Sequence, residues 1–147
     1  MTIDGGSAIG RIIVHESVAN QLVTVFDRLY LHRFPIERMQ TVDVYGGDDN
    51  ASMAANNTSG FNCRAVSGGT GWSRHAYGMA VDVNPRQNPY VRGATILPPA
   101  ASDYLDREQY DPMMIRSGDI VVRSFDGAGW RWGGNWTSPI DYQHFDR

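Results

Sequence analysis

Ser73-Arg74-His75-Ala76-Tyr77-Gly78-Met79-Ala80-Val81-Asp82 is the stretch on which the reading of the fold turns. Beyond Gly78 the residues alternate as a strand does, with Met79, Val81 and Val83 on one face and Ala80, Asp82 and Asn84 on the other. Asp82 is thereby aimed away from the apolar side, and Pro85 ends the strand. Gly78 lets the chain turn between His75 and the strand, so that both side chains can converge on one point. Near the other end, Asp141-Tyr142-Gln143-His144 supplies a second histidine with a carboxylate one turn before it. His75, Asp82 and His144 form a His-Asp-His set, and catalytic zinc takes three such protein ligands while keeping a fourth position for water. On a helical turn or tight loop, side chains at i and i+3 lie on the same side, which puts Asp141 within reach of that water.

The first stretch reads Ser-x-His-x-x-Gly-x-Ala-x-Asp and the second Asp-x-x-His-Phe. In this order they resemble the zinc D-alanyl-D-alanine carboxypeptidase and L-alanyl-D-glutamate endopeptidase family of peptidoglycan peptidases. Asn57-Thr58-Ser59-Gly60-Phe61-Asn62-Cys63-Arg64 is similar to the family's third element, which brings an arginine to the site. The likeness runs from about Thr58 to His144.

The resemblance implies an α+β fold, with a small, mainly antiparallel sheet carrying the zinc and helices packed against it, the architecture shared with hedgehog signalling domains. It implies Zn2+ held by His75, Asp82 and His144, with Asp141 as the general base. It also implies Arg64 as a catalytic or substrate-binding group, meeting either the developing oxyanion or a substrate carboxylate, and Ser73 contacting substrate or orienting a ligand. Many relatives use glutamate where this chain has the shorter Asp141. The implied partners are peptidoglycan stem peptides, cut either at the terminal D-alanine or between L-alanine and D-glutamate; the residues favour neither cut. The alternative is a catalytically inactive, zinc-containing wall-binding module of the same fold.

The remaining sequence sets bounds on that reading. A chain of 147 residues suits one domain with a single core. We expect a flexible lead-in over 1–10, which is glycine-rich and polar, and a catalytic domain over 11–147. A net charge of −3 and the lack of any Lys/Arg run argue against nucleic acid as a partner. No apolar run reaches the roughly 20 residues of a membrane span. The one cysteine, Cys63, rules out an intrachain disulfide and is expected to be a packed thiol, not a nucleophile. The start of the chain lacks the basic and apolar segments of a signal peptide, so an extracytoplasmic place, secreted or wall-associated, is expected of a parent protein. Oligomeric state is left open.

Val18, Leu22, Val25, Phe26 and Leu29 make one stripe of a helix over 16–33, with Ser17 as its N-cap and Pro35 as its stop. Thr41, Val42 and Val44 suggest a strand over 38–45. The Asp48-Asp49-Asn50 cluster reads as a solvated turn, since no glutamate completes a calcium loop, and 51–55 as a short helical turn. The proline-dotted segment 87–114 reads as a long irregular excursion, a candidate lip over a cleft. A helix from Ser117 to about Phe125 and a strand over 130–132 follow. His15 and His32 read as surface or capping residues, and the tryptophans as core, with Trp130 or Trp132 as candidates for the cleft edge.

Overall fold

The computed structural model describes residues 1–2, 4–66 and 69–147. Ile3, inside the expected lead-in, lies outside the described residues. Helix α1 (Glu16–Leu31) carries the predicted stripe, with Val18, Leu22, Val25 and Leu29 buried. It is capped by His15 and not by Ser17: His15 Nδ1 accepts from the Ser17 backbone N–H, which places Ser17 inside the first turn. His32 is the C-cap.

Beyond α1 the elements are short. Strand β1 (Arg38–Met39) pairs in parallel with β2 (Asn57–Thr58), and α2 (Asp49–Ala54) lies between them in sequence. The strand expected over 38–45 is therefore mostly absent. Val42–Tyr45 is a 3-10 turn closed by Gly46 and Gly47, both at positive φ, so local turn chemistry overrides the β-branched propensity. The acidic cluster is not a freely solvated turn either, because Asp48 caps α2 through the N–H groups of Asn50 and Ala51.

The 3-10 turn Arg74–Tyr77 leads through Gly78 (φ 64) into β3 (Ala80–Asp82). Next come the hairpin strands β4 (Tyr90–Arg92) and β5 (Thr95–Leu97), a 3-10 segment Pro99–Tyr104, and α3 (Ile120–Gly127). The 87–114 excursion is thus partly ordered sheet. Its two-residue connection opens with Gly93 at φ 57, the left-handed start that a tight hairpin favours. Helix α3 begins later than expected. Its N-cap is Asp119, which accepts from Val122 N–H at 2.9 Å, and Ser117 lies outside it.

Strands β6 (Arg131–Trp132), β7 (Ile140–Asp141) and β8 (His144–Asp146) complete two three-stranded antiparallel sheets, ordered β3-β8-β6 and β5-β4-β7. The molecule is an α+β fold of small, mainly antiparallel sheets with helices against them. Its core joins the α1 stripe to Val81, Val83, Ile115, Val121, Phe125, Trp130, Trp132 and Phe145. Phe125 stacks on Phe145 with ring centroids 4.0 Å apart, which ties α3 to the centre of the β3-β8-β6 sheet.

Candidate metal centre and cleft

Strand alternation builds the site. On β8, Phe145 points into the core, so His144 and Asp146 point to the other face. On β3, Val81 is in the core and Asp82 faces away from it. The pairing register sets Asp82 directly opposite His144. His75 arrives from the turn before β3, whose first N–H groups include that of His75, donated to Ser73 Oγ at 3.3 Å. Ser73 therefore orients the turn that carries His75, and its buried side chain also lines the cleft.

The segment 57–64 runs alongside. Ser59 and Asp82 exchange both backbone hydrogen bonds, and the Asn62 N–H donates to the His75 carbonyl. His75 Nδ1–H donates to the Gly60 carbonyl at 2.7 Å. A carbonyl only accepts, so this bond fixes the proton on Nδ1 and leaves the lone pair of the neutral ring on Nε2, facing Asp82 and His144.

Three atoms meet there. His75 Nε2 lies 3.1 Å from Asp82 Oδ2, His144 Nδ1 lies 2.9 Å from Asp82 Oδ1, and the two nitrogens are 3.2 Å apart. All three residues are buried, and their ligand atoms could hold a metal ion. Tetrahedral zinc with bonds of about 2.0–2.1 Å to nitrogen and oxygen needs ligand atoms roughly 3.3 Å apart. The donor set and its spacing fit zinc.

The charges agree with this geometry. Burial raises the Asp82 pKa, but His75 and His144 outweigh it and hold the carboxyl well below the usual range. Burial lowers that of His144, yet the Asp82 hydrogen bond and the charges of Asp82, Asp141 and Asp146 carry it above the ordinary histidine value. Asp141 goes the opposite way from Asp82. Burial above all, opposed by His144 and assisted by the Asp82 charge, pushes it up to about 7. Its Oδ1 is buried with no hydrogen-bond partner, as is Gln143 Oε1. Asp141 sits at the end of β7, and the tight turn Tyr142-Gln143 brings the chain back to His144.

That turn is braced from three sides. Trp132 Nε1–H donates to the Tyr142 carbonyl at 2.8 Å, and Tyr142 N–H donates to the Pro89 carbonyl. The Arg107 guanidinium lies 4.4 Å from the Tyr142 ring centroid while donating to the carbonyls of Gln87, Tyr104 and Ile115.

Asp82 and His144 line a cleft of about 480 Å³ that is also bordered by Asp49, Met53, Arg64, Ser73, Tyr90, Arg92, Leu97, Trp136 and Asp141. Arg64 borders it with Nε 2.9 Å from Asp49 Oδ2. Sequence reasoning passed over Asp49, Tyr90, Arg92 and Trp136. The Trp130 and Trp132 rings are core, and the cleft tryptophan is Trp136, which the chain places beside His144 with ring centroids 5.4 Å apart. Cys63 is exposed and free, not packed, because its segment runs along the surface. His15 and His32 lie at the ends of α1, outside the His75, Asp82 and His144 group.

Fold and site together define an α+β domain with a buried His-Asp-His group that could hold a metal ion, set beside a cleft. The sequence model of a family described as D-alanyl-D-alanine carboxypeptidase matches residues 67–147, more than half of the chain, and the chain belongs to that family of zinc peptidases. The matched span holds His75, Asp82, Asp141 and His144, while Arg64 lies just before it. Neither the curated proteins nor the solved structures searched contain a match to this chain.

Proposed function

We propose that this chain is a zinc metallopeptidase that hydrolyses peptidoglycan stem peptides, as a D-alanyl-D-alanine carboxypeptidase or an L-alanyl-D-glutamate endopeptidase. The observation that carries the reading is the meeting of His75, Asp82 and His144, with Asp82, His144 and the buried, unpartnered Asp141 oxygen at the wall of one open cleft. Zinc in such a site supplies an acidified water and a polarised scissile carbonyl. His75 and His144 would hold it as neutral imidazoles and Asp82 as a carboxylate. Asp141, one of whose oxygens is buried and unpartnered at the cleft, would take the proton from the attacking water and return it to the departing amine. Arg64, steadied by Asp49, would offer its outer N–H groups to the developing oxyanion or to a substrate carboxylate. Ser73 would keep His75 in place from the cleft wall.

A wall-binding module without turnover is the competing reading. The buried, unpartnered Oδ1 of Asp141 favours the enzyme, because a binder gains nothing from a carboxyl oxygen left without a partner beside His144. An extracytoplasmic site of action, in the protein to which the domain 11–147 belongs, goes with this substrate.

Mass spectrometry of defined pentapeptide muropeptides, incubated with zinc-loaded protein and with a chelated control, tests the proposal. Loss of one alanine identifies the carboxypeptidase cut, and release of the stem after L-alanine the endopeptidase cut. The absence of any metal-dependent product would overturn the peptidase reading.

A further inference from the structure

The sheet that carries Asp141 extends beyond the metal centre, and one of its faces forms a wall of the cleft. Register places Leu97 opposite Tyr90 and Tyr90 opposite Asp141, so these three side chains stand in one row across β5, β4 and β7. All three line the cleft, whereas the alternating neighbours Ile96, Val91 and Ile140 are not among its lining residues. Arg92 follows Tyr90 by two positions on β4 and therefore shares its face. It too lines the cleft, and it is exposed. Two residues along a strand advance about 6.6–6.8 Å, which sets Arg92 that far along the wall from the row that ends in the proposed base.

Most of the charges in the cleft are balanced. Arg64 is paired with Asp49, Asp146 with Arg131 at 3.0 Å, and Asp82 with His75 and His144. Among the described residues two cleft arginines, Arg74 and Arg92, have no carboxylate within ion-pair distance, and Arg92 is the one carried on the same sheet as Asp141. A guanidinium in this position presents a rigid fork of donors that matches a carboxylate, and it faces the channel a substrate must occupy. An extended peptide advances roughly 3.3–3.6 Å per residue, so a group at Arg92 lies one or two residues from a bond held beside Asp141.

We propose that Arg92 is a specificity-determining residue that binds a substrate carboxylate one or two residues from the bond that is cut, so that the cleft selects acidic peptides over their neutral isosteres. This rests on the peptidase reading for the kind of ligand, but binding at Arg92 does not require turnover.

Calorimetric titration of the zinc-loaded Asp141→Asn protein tests it with three probes: L-Ala-γ-D-Glu-L-Lys-D-Ala-D-Ala, the same peptide with the glutamate α-carboxylate replaced by a carboxamide, and the same peptide with a C-terminal carboxamide. We expect one of the two replacements to weaken binding roughly 10- to 100-fold, the worth of a charge-assisted hydrogen bond. Arg92→Gln should bind that replaced peptide and the parent equally, and Arg92→Lys should recover part of the difference by charge alone. Far-ultraviolet circular dichroism and zinc stoichiometry verify that the variants are folded. Equal affinity of all three peptides for the Arg92 protein, no binding of any of them, or discrimination that survives Arg92→Gln would overturn the inference. Hydrolysis by the unmodified chain without such discrimination sinks this inference alone. Discrimination without hydrolysis by that chain sinks the peptidase reading and leaves the carboxylate site standing.

Discussion

Two carboxylates of one cleft, Asp82 and Asp141, are driven in opposite directions, and the difference divides the labour between them. Asp82 sits between two imidazoles that overcome its burial, so it stays ionised, as a metal ligand must. Asp141 is half-buried with one oxygen buried and unpartnered, and in the metal-free chain burial pushes its pKa up to about 7. Environments that push a pair of acids apart in this way suit the roles proposed for them, Asp82 as ligand and Asp141 as proton carrier. We expect Asp141→Asn to keep its zinc and to lose about 10²- to 10⁴-fold in kcat, the usual worth of a general base. His144→Ala should instead lose the metal, because it removes one of only three ligand atoms. Metal content by mass spectrometry beside turnover of the muropeptides separates the two variants, and normal turnover by Asp141→Asn would discard it as the base.

The elements that hold these residues are short, and their precision comes from contact at the backbone. The Gly133–Asn135 turn packs under the Asp141 to His144 turn so closely that a Cβ on Gly133 would stand 2.7 Å from the Asp141 carbonyl oxygen and 3.3 Å from His144 Cβ. Gly133→Ala must therefore shift the base and a ligand together. Overpacking of this kind costs about 1–3 kcal/mol of stability. A displacement of about 1 Å at a reacting group can lower the rate on the order of 10²-fold. Thermal unfolding and kcat/KM measured on the same variant should thus show a modest drop in the first and a large one in the second, and unchanged activity would mean that the turn yields elsewhere. Packing of this kind also explains what the sequence could and could not convey. Helix α1 was legible because sixteen residues repeat one stripe, and the ligands because His75, Asp82 and His144 sit in spaced motifs. Alternation was legible around β3 and at 130–132, but the other strands of two or three residues are too short to show it. The β4–β5 hairpin was hidden among prolines, and the β-branched run at Val42 and Val44 became a 3-10 turn once Gly46 and Gly47 closed it. Arg92 and Tyr90 escaped notice because their place beside Asp141 depends on cross-strand register, which carries no local sequence signal.

For the molecule as a whole, the site makes stability depend on pH in opposite senses with and without metal. In the metal-free protein Asp141 has a folded pKa raised to about 7 from an ordinary carboxylate value. Its stabilising contribution is full below about pH 4 and is lost as pH rises through about 7. His144 is raised as well, so its contribution is full below about 6.5 and is lost as pH climbs through its folded value. Asp82 is depressed and acts the other way, contributing above about pH 4 and fading only in strong acid. The three together place the stability maximum of the metal-free chain near pH 4, with a decline that runs from there through about pH 7 as Asp141 ionises and continues as His144 loses its proton. Zinc reverses the trend, because its ligands bind in their deprotonated forms and binding strengthens as protons leave. Melting temperatures measured with chelator and with zinc across that range should diverge steadily as pH rises, with the chelated curve falling and the zinc curve level or rising. Parallel curves would mean that the three buried side chains are held together by their own protons, and that the charge shared between Asp82 and the two histidines is not a metal's place.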